Sequence, residues 1–165
     1  AEVEDVFAKL WHHAQTQPYS VKTTEAPHYR RYVLQQGGDP LAGPHGKVDD
    51  GRHRGHRAPL GVGDGKGVMF CSHRGEIYPS GFLPLCCGRF PQDSVVNVYQ
   101  NNATFQALRN PARFHGKCAV CKYREICGGS RAGAYAVTGD PLASECDCFY
   151  EPENDGGGAA RREQS

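Results

Sequence analysis

The sequence predicts an α+β protein built from two unlike parts, and three observations carry that prediction. The first 36 residues hold a helix–strand–helix pattern, which is typical of one repeat of an α/β fold. All eight cysteines lie between positions 71 and 148, among short strand and helix signals. The stretch between the two parts is rich in glycine, proline and histidine and lacks apolar periodicity. We therefore divide the chain into residues 1–36, a flexible linker at 37–66, a cysteine-rich domain at 67–150 and a disordered tail at 151–165.

Composition limits the partners that the chain can have. The 165 residues carry 19 basic and 18 acidic side chains and a formal net charge of +1, so neither a nucleic acid nor an acidic membrane is predicted as a partner. No apolar stretch approaches the roughly 20 residues of a membrane span, and no secretory signal is visible. We therefore expect a cytoplasmic protein whose thiols bind metal or react rather than form disulfides.

The first part is predicted to contain two helices and one strand. Apolar residues recur at helical spacing over 2–15, at Val3, Val6, Phe7, Leu10 and Trp11. The run YSVKTT at 19–24 is β-branched and aromatic, which favours a short strand. A second helix is predicted over 25–36, with a proline near its start.

The second part is predicted to begin with a β-hairpin. Two strand-like runs, at 67–72 and 76–79, flank a turn signal at Gly75. The run SVVNVY at 94–99 is rich in β-branched residues, and it predicts another short strand.

Two short helices are predicted in the remainder of the second part. The first covers 101–108, where Asn102 or Thr104 is the expected N-cap. The second is an alanine-rich helix over 130–137, which is expected to end near Gly139 because glycine commonly terminates helices.

Four cysteines of the second part, which we call the four-cysteine set, have the spacing of ligands to one metal centre. Two residues separate Cys118 from Cys121, five separate Cys121 from Cys127, and Cys148 follows after twenty more. The first three belong to a loop predicted at 115–130, and the fourth must come from a segment that folds back. Four such thiolates suit either Zn²⁺ or a [4Fe–4S] cluster, and the spacing leaves both open. The glycine pair after Cys127 lets the backbone pass close to a bulky inorganic core.

A second set of three cysteines precedes these four. The pattern Cys-x9-Gly-x4-Cys runs from Cys71 to Cys86, and Cys87 is adjacent. The predicted hairpin would let Cys71 and Cys86 face one another across a turn. Three thiols are one short of a tetrahedral site, whose fourth position would fall to His73, a substrate or water. We treat the three as additional candidate ligands, with buried free cysteines as the alternative.

Three further groups of charged or titratable residues can be interpreted either as functional or as ordinary solvent-exposed side chains. The first group comprises Lys22, Glu25, His28, Arg30 and Arg31. It follows the predicted first strand, where α/β barrels place active sites, and the alternative is a solvated helix start. Arg124 and Arg131 flank the cysteine loop and either balance thiolate charge or lie on the surface. His45, His53 and His56 have no cysteine or acidic partner at ligand spacing, so they are assigned to a solvated loop.

Taken together, the cysteine spacings resemble the SPASM-type C-terminal extension of radical S-adenosylmethionine (SAM) enzymes. The pattern is Cys-x9-Gly-x4-Cys, then Cys-x2-Cys-x5-Cys and a late cysteine, within CSHRGEIYPSGFLPL and CAVCKYREICGGSRAGAYAVTGDPL. This text is similar to the branch that includes haem-maturation and peptide-modifying enzymes. The run KTTEAPHYRRY resembles the end of the barrel in that branch, so the resemblance covers residues 1–36 and 66–152.

The resemblance implies a fold and a ligand set. The fold is the remnant of a partial TIM barrel over residues 1–36, followed by a small iron–sulfur domain of a β-hairpin and helices. The four-cysteine set would hold a [4Fe–4S] cluster, with Cys148 preferred to Cys146 because Phe-Tyr-Glu-Pro follows it. Members with two auxiliary clusters carry a further cysteine at the position of Arg131, so one auxiliary cluster is expected here.

The resemblance also implies a function for the complete enzyme. The auxiliary cluster would relay an electron or position the substrate, a tetrapyrrole or a peptide, and a ferredoxin or flavodoxin would act as reductant. SAM cleavage needs a Cys-x3-Cys-x2-Cys loop, which this sequence lacks. We therefore expect SAM only in the complete enzyme, a truncation as the simplest origin of this chain, and no activity of the chain alone. The alternative is a zinc-stabilised interaction module without redox activity.

Overall fold

The computed structural model describes residues 2–19, 21–40 and 63–153. It is a mixed α+β structure of short helices and one small antiparallel sheet. The helices are α1 (Glu2–Thr16), α2 (His28–Gln35), α3 (Val95–Asn101), α4 (Ala103–Leu108), a 3-10 helix (Pro111–Arg113), α5 (Gly116–Val120) and α6 (Arg131–Thr138). The strands are β1 (Phe70–Cys71), β2 (Glu76–Tyr78) and β3 (Gly88–Arg89). The histidines at 45, 53 and 56, with most of the predicted linker and tail, lie outside the described residues.

The helices α1 and α2 pack around a small aromatic core. Phe7 of α1 is buried against Tyr29 and Val33 of α2, with the Phe7 and Tyr29 ring centroids 5.3 Å apart. Arg31 of α2 forms an ion pair with Glu4 of α1, which ties the two helices at their edge. Both helices of the first part are thus confirmed. Among the described helices, none has both the length and the hydrophobicity of a membrane span.

The strand predicted at 19–24 is wrong. Residues 21–23 belong to no strand, and all three strands of the described sheet come from the second part. A β-branched run favours extended backbone, but a strand also needs a neighbour to receive its N–H and C=O groups, and the described residues place no strand beside it. The hydroxyl of Thr23 instead donates a hydrogen bond to the carbonyl oxygen of Ala26 at 2.8 Å, where the chain turns into α2.

The predicted β-hairpin is confirmed. β1 pairs antiparallel with β2, which places Cys71 opposite Ile77. Gly75 in the turn has a φ of 79°, and a Cβ there would lie 2.2 Å from the carbonyl oxygen of Phe90, so a side chain does not fit. β3, which the sequence pattern did not predict, extends the sheet in the order β1-β2-β3.

The strand predicted at 94–99 is also wrong, because this segment forms α3. The side-chain oxygen of Ser94 caps the helix by accepting a hydrogen bond from the backbone N–H of Asn97 at 3.3 Å. Val98 turns inward and packs in one core cluster with Phe105 of α4. The cap and the buried helical face outweigh the β-propensity of the valines.

The two other predicted helices of the second part are confirmed with their end signals. Asn102 caps α4 by accepting a hydrogen bond from the N–H of Thr104 at 2.9 Å. Ser130 caps α6 through the N–H of Gly133 at 2.9 Å, and Gly139 ends the helix with a φ of 77°. The predicted cysteine loop is not wholly irregular, since it contains the short helix α5.

Phe105 is the largest fully buried side chain of the second part. We expect Phe105→Ala to lower the free energy of unfolding by about 3–5 kcal/mol, because it removes buried aromatic surface and leaves a cavity. Urea denaturation followed by circular dichroism measures the change. Val96→Ala is the control, because Val96 is 63% exposed, and it should change the same free energy by less than about 0.5 kcal/mol. Equal stability of the two variants would contradict the packing described.

Candidate metal centre

The four-cysteine set surrounds one cavity. Cys118 lies in α5, Cys121 is the residue at which α5 ends, Cys127 follows in the loop, and Cys148 lies beyond α6. All four residues line a cavity with an empty volume of about 380 Å³. Cys146 is exposed and does not line it. The structure therefore brings together the set predicted from spacing and resemblance, and it leaves out Cys146.

The wall of this four-cysteine cavity also carries one carboxylate, Glu145, and four basic side chains. The basic side chains are His28 and Arg31 from α2, together with Lys117 and Arg124 from the cysteine loop. Lys117 also donates a hydrogen bond from Nζ to the carbonyl oxygen of Cys148, which joins the two segments that carry the thiols. Within residues 2–19, 21–40 and 63–153, no three His, Cys, Asp or Glu side chains are close enough together for a single metal ion. The four cysteines thus line one cavity without meeting at a point that a single ion could occupy.

Backbone N–H groups point at two of the sulfurs. The N–H of Gly129 donates to Sγ of Cys127 at 3.4 Å, and the N–H of Glu145 donates to Sγ of Cys118 at 3.4 Å. Gly129 has a φ of 68°, and a Cβ there would lie 2.9 Å from the Cβ of Glu145. Gly129 therefore lets the loop pass closely against the segment around Glu145. That the glycine pair lets the backbone approach an inorganic core stays a prediction.

Arg131 is a buried cation. Of the two interpretations that the sequence leaves open, a residue that balances thiolate charge or a surface residue, the structure excludes the second. Its side chain is 3% exposed, and Nη1 donates to the carbonyl oxygens of Ala143 at 2.7 Å and Pro141 at 3.1 Å. Nη2 lies 3.8 Å from Sγ of Cys118, and the guanidinium stacks over the Phe114 ring at 4.5 Å from its centroid. Arg131 thus positions the chain around the first thiol and brings positive charge to it.

The helix α2 belongs to the wall of the cavity and is not a solvated helix start. His28 and Arg31 are both 3% exposed. Arg30 donates from Nη1 to the carbonyl oxygen of Ile126 at 3.3 Å, next to Cys127. Just before α2, Glu25 accepts a hydrogen bond from the hydroxyl of Ser130 at 2.9 Å. Lys22, the fifth member of this predicted group, is exposed and outside both the wall and these contacts.

Burial makes two thiols of the cavity, those of Cys127 and Cys121, hard to ionise. The pKa of the Cys127 thiol is raised to about 12, mainly by burial and in smaller part by the nearby sulfurs of the set, while the N–H of Gly129 opposes the shift. Burial is also the main reason why the pKa of Cys121 is raised. Because thiolates are the form that binds metal, a cation has to replace these protons as it enters.

His28 is the residue of the wall whose role the sequence did not predict. Both of its ring nitrogens are buried, and neither has a hydrogen-bond partner in the part of the chain that the structure describes. The ring packs edge-on against Phe7, with centroids 4.9 Å apart. Burial lowers the pKa of His28, and the nearby Glu145 carboxylate opposes that shift. No local sequence signal predicts this placement, because the facing residues come from the second part of the chain.

The second cysteine set lies elsewhere. Cys71 and Cys86 are exposed, with thiols near backbone carbonyls of their own segments. Cys87 is half-buried and packs against the cluster of Ile77 and Val98, with Sγ 3.3 Å from the carbonyl oxygen of Leu85. None of the three lines the four-cysteine cavity. Their part in metal binding stays a prediction.

A second cavity, with an empty volume of about 530 Å³, borders the same loop. Cys127 and the glycine pair after it line both cavities. The second cavity also carries charged side chains of both signs, among them Arg30, Lys66, Arg124 and Glu25. A polar compound bound there would therefore lie next to the four-cysteine set.

Three known enzymes illustrate what the chain is similar to. It is 33% identical over 153 residues to the AdoMet-dependent heme synthase of Methanosarcina barkeri, a match that covers 92% of this chain and 42% of that enzyme. The enzyme of the same name from Nitratidesulfovibrio vulgaris is 34% identical over 153 residues, which are 92% of this chain and 40% of the relative. A PqqA peptide cyclase from Ruegeria pomeroyi is 29% identical over 89 residues, which are 53% of this chain and 23% of the cyclase. No family model matches the chain.

These similarities define the class of protein, because they make the chain a homologue of radical SAM enzymes. The particular relatives are AdoMet-dependent heme synthases, of whose length the chain spans 38% to 42%, and a peptide cyclase. The predicted resemblance to the haem-maturation and peptide-modifying branch is thereby confirmed.

The order in which the cysteines react in the metal-free chain tests the burial of the thiols. We expect iodoacetamide to modify Cys127 last and the exposed Cys146 early, because a pKa of about 12 leaves Cys127 almost wholly protonated at pH 8. Mass spectrometry of the digested chain gives the rate at each position. In urea the two rates should converge. Equal rates in the folded chain would contradict the buried position of Cys127.

Proposed function

We propose that the chain forms an auxiliary iron–sulfur domain, in which Cys118, Cys121, Cys127 and Cys148 hold one [4Fe–4S] cluster. The observation that carries this proposal is the convergence of these four residues on one cavity, with the neighbouring Cys146 left outside. Thiolates are the usual ligands of such clusters. The similarity to AdoMet-dependent heme synthases supports the same assignment.

The shape of the site fits a cluster better than a single zinc ion. Zinc bonds of roughly 2.3 Å draw four thiolates to within about 3.8 Å of one another around one point. A [4Fe–4S] cluster supplies one iron for each thiolate, so it suits sulfurs that are spread over the wall of a cavity. The N–H groups of Gly129 and Glu145, which already reach two of the sulfurs, are donors of the kind that stabilise cluster ligands.

The cationic side chains of the cavity wall also support a bound [4Fe–4S] cluster. Four thiolates bring four negative charges to a site of low polarity, and an iron–sulfur core offsets them only in part. Arg31, Lys117 and Arg124 line the cavity, and Arg131 reaches Cys118 from behind it. These cations lower the cost of keeping the remaining negative charge out of water.

When bound, the cluster would supply one-electron redox chemistry. The residues of this chain have three tasks around it. The four-cysteine set would bind it, Tyr150 and Pro152 would contact it as lining residues of the same cavity, and the second cavity would hold a substrate beside Cys127. Because that cavity carries Arg30, Lys66 and Glu25, the side chains there can orient carboxylates and cationic groups.

For the complete enzyme we propose a radical SAM maturase that modifies a tetrapyrrole or a peptide. The domain would relay an electron or position the substrate, with SAM bound elsewhere in the enzyme and a ferredoxin or flavodoxin as reductant, in the cytoplasm. The names of the relatives, a heme synthase and a peptide cyclase, support these two substrate classes.

Anaerobic reconstitution with iron and sulfide tests the proposal. We expect a brown protein with about four iron and four sulfide per chain. Cys121→Ser should lose the colour and most of the iron, because one of the four ligands is gone. Cys146→Ser is the matched control and should keep both, since Cys146 lies outside the cavity. A colourless protein with about one zinc per chain would contradict the cluster and favour the zinc-stabilised module.

The second cysteine set gives a separate prediction. Because Cys71 and Cys86 are exposed and outside the cavity, the double variant Cys71→Ser/Cys86→Ser should keep about four iron per chain. Iron analysis of the reconstituted variant beside the unchanged chain measures this. A loss of iron in the variant would assign these two residues to metal binding.

A further inference from the structure

His28 is a buried polar side chain that lines the four-cysteine cavity. The side chain is 3% exposed, and neither Nδ1 nor Nε2 has a hydrogen-bond partner among the described residues. A buried polar group without a partner costs about 1–3 kcal/mol, so such groups are rare in native proteins unless a bound ion or water supplies the partner. His28 lines the cavity of the cysteines, so a group bound in that cavity can supply the missing hydrogen-bond partner.

The chemistry of His28 selects a donor role. Burial lowers the pKa of His28 and so favours the neutral imidazole, which carries one N–H and one lone-pair nitrogen. The cysteines already provide four ligands, which is the full set for a [4Fe–4S] cluster. Because His28 lines the same cavity, its N–H would be available as a donor to an anionic group of sulfur and iron bound there.

We infer that His28 donates an N–H hydrogen bond to a sulfur of the group held by the four-cysteine set, and that this bond raises the reduction potential of that group. The inference rests on the proposed function. A hydrogen bond to sulfur stabilises the more negatively charged, reduced form, so its removal shifts the potential to lower values. His28 is thus a positioning and tuning residue and not a ligand.

The test compares reduction potentials of the reconstituted full chain and its variants. We expect His28→Leu to bind the same amount of iron and to show a lower midpoint potential in a dye-mediated titration. His28→Gln retains an N–H donor of similar reach and should recover part of the shift. Tyr29→Phe is the matched control, because it removes a second unpartnered buried polar atom of the same helix that does not line the cavity. Its potential should equal that of the unchanged chain.

A spectroscopic measurement keeps the inference testable even if His28→Leu fails to fold. The unchanged chain, labelled with ¹⁵N-histidine and reduced, should show a weak nitrogen coupling to the cluster in pulsed electron paramagnetic resonance. The chain has eight histidines, so loss of the coupling in His28→Gln assigns it to position 28. A strong coupling typical of direct iron–nitrogen bonding would overturn the donor role.

The outcomes separate this inference from the proposed function. If the unchanged chain binds no iron–sulfur cluster, the proposed function fails and the inference fails with it. If the cluster forms but His28→Leu leaves its potential unchanged and no nitrogen coupling is seen, the proposed function stands and the inference is wrong. That second result would mean that water satisfies the imidazole.

Discussion

Four thiols held around one cavity repel one another as soon as they ionise. The surrounding structure places N–H donors and cationic side chains near the sulfurs, and these groups reduce that repulsion. At Cys127 burial is the main cause of a pKa of about 12, and the neighbouring sulfurs add a smaller contribution. A cation that binds the thiolates would remove the repulsion, so under the proposed function we expect assembly of this part to be coupled to filling of the cavity. The backbone N–H groups of Gly129 and Glu145 stabilise the sulfurs of Cys127 and Cys118 from the side that faces the protein.

The first part of the chain contributes to this site through a continuous set of hydrogen bonds. Glu25 accepts from the hydroxyl of Ser130, and the N–H of Ser130 donates to the carboxylate of Glu145. The N–H of Glu145 in turn reaches Sγ of Cys118. These hydrogen bonds link the exposed Glu25 to the buried Ser130 and Glu145 and, through them, to the first cysteine of the set. The hydrogen bond from Arg30 to the carbonyl oxygen of Ile126 is a second link between the first part and the cysteine loop.

The features that could be predicted from the sequence have local causes. The turn at Gly75, the cap at Asn102 and the helix end at Gly139 each depend on residues within a few positions, and all three are confirmed. The segment that forms α3 is predicted as a strand because valine has a high β-propensity. Its valines also fit the spacing of a helix, and the sequence pattern alone does not decide between the two. The position of His28 could not be predicted at all, because it depends on how α2 docks onto a segment far along the chain.

The loop at Cys127 explains why the relay and positioning roles need not exclude one another. The cysteine and its glycine pair border both cavities, and glycine places no side chain between them. In the proposed function, a shared wall would give an electron a short path and would also hold a substrate next to a cluster bound by Cys127. The choice between the roles therefore depends on what the second cavity binds. Its side chains of both charges, including Arg30 and Glu25, favour a substrate that carries carboxylate and cationic groups over a purely apolar one.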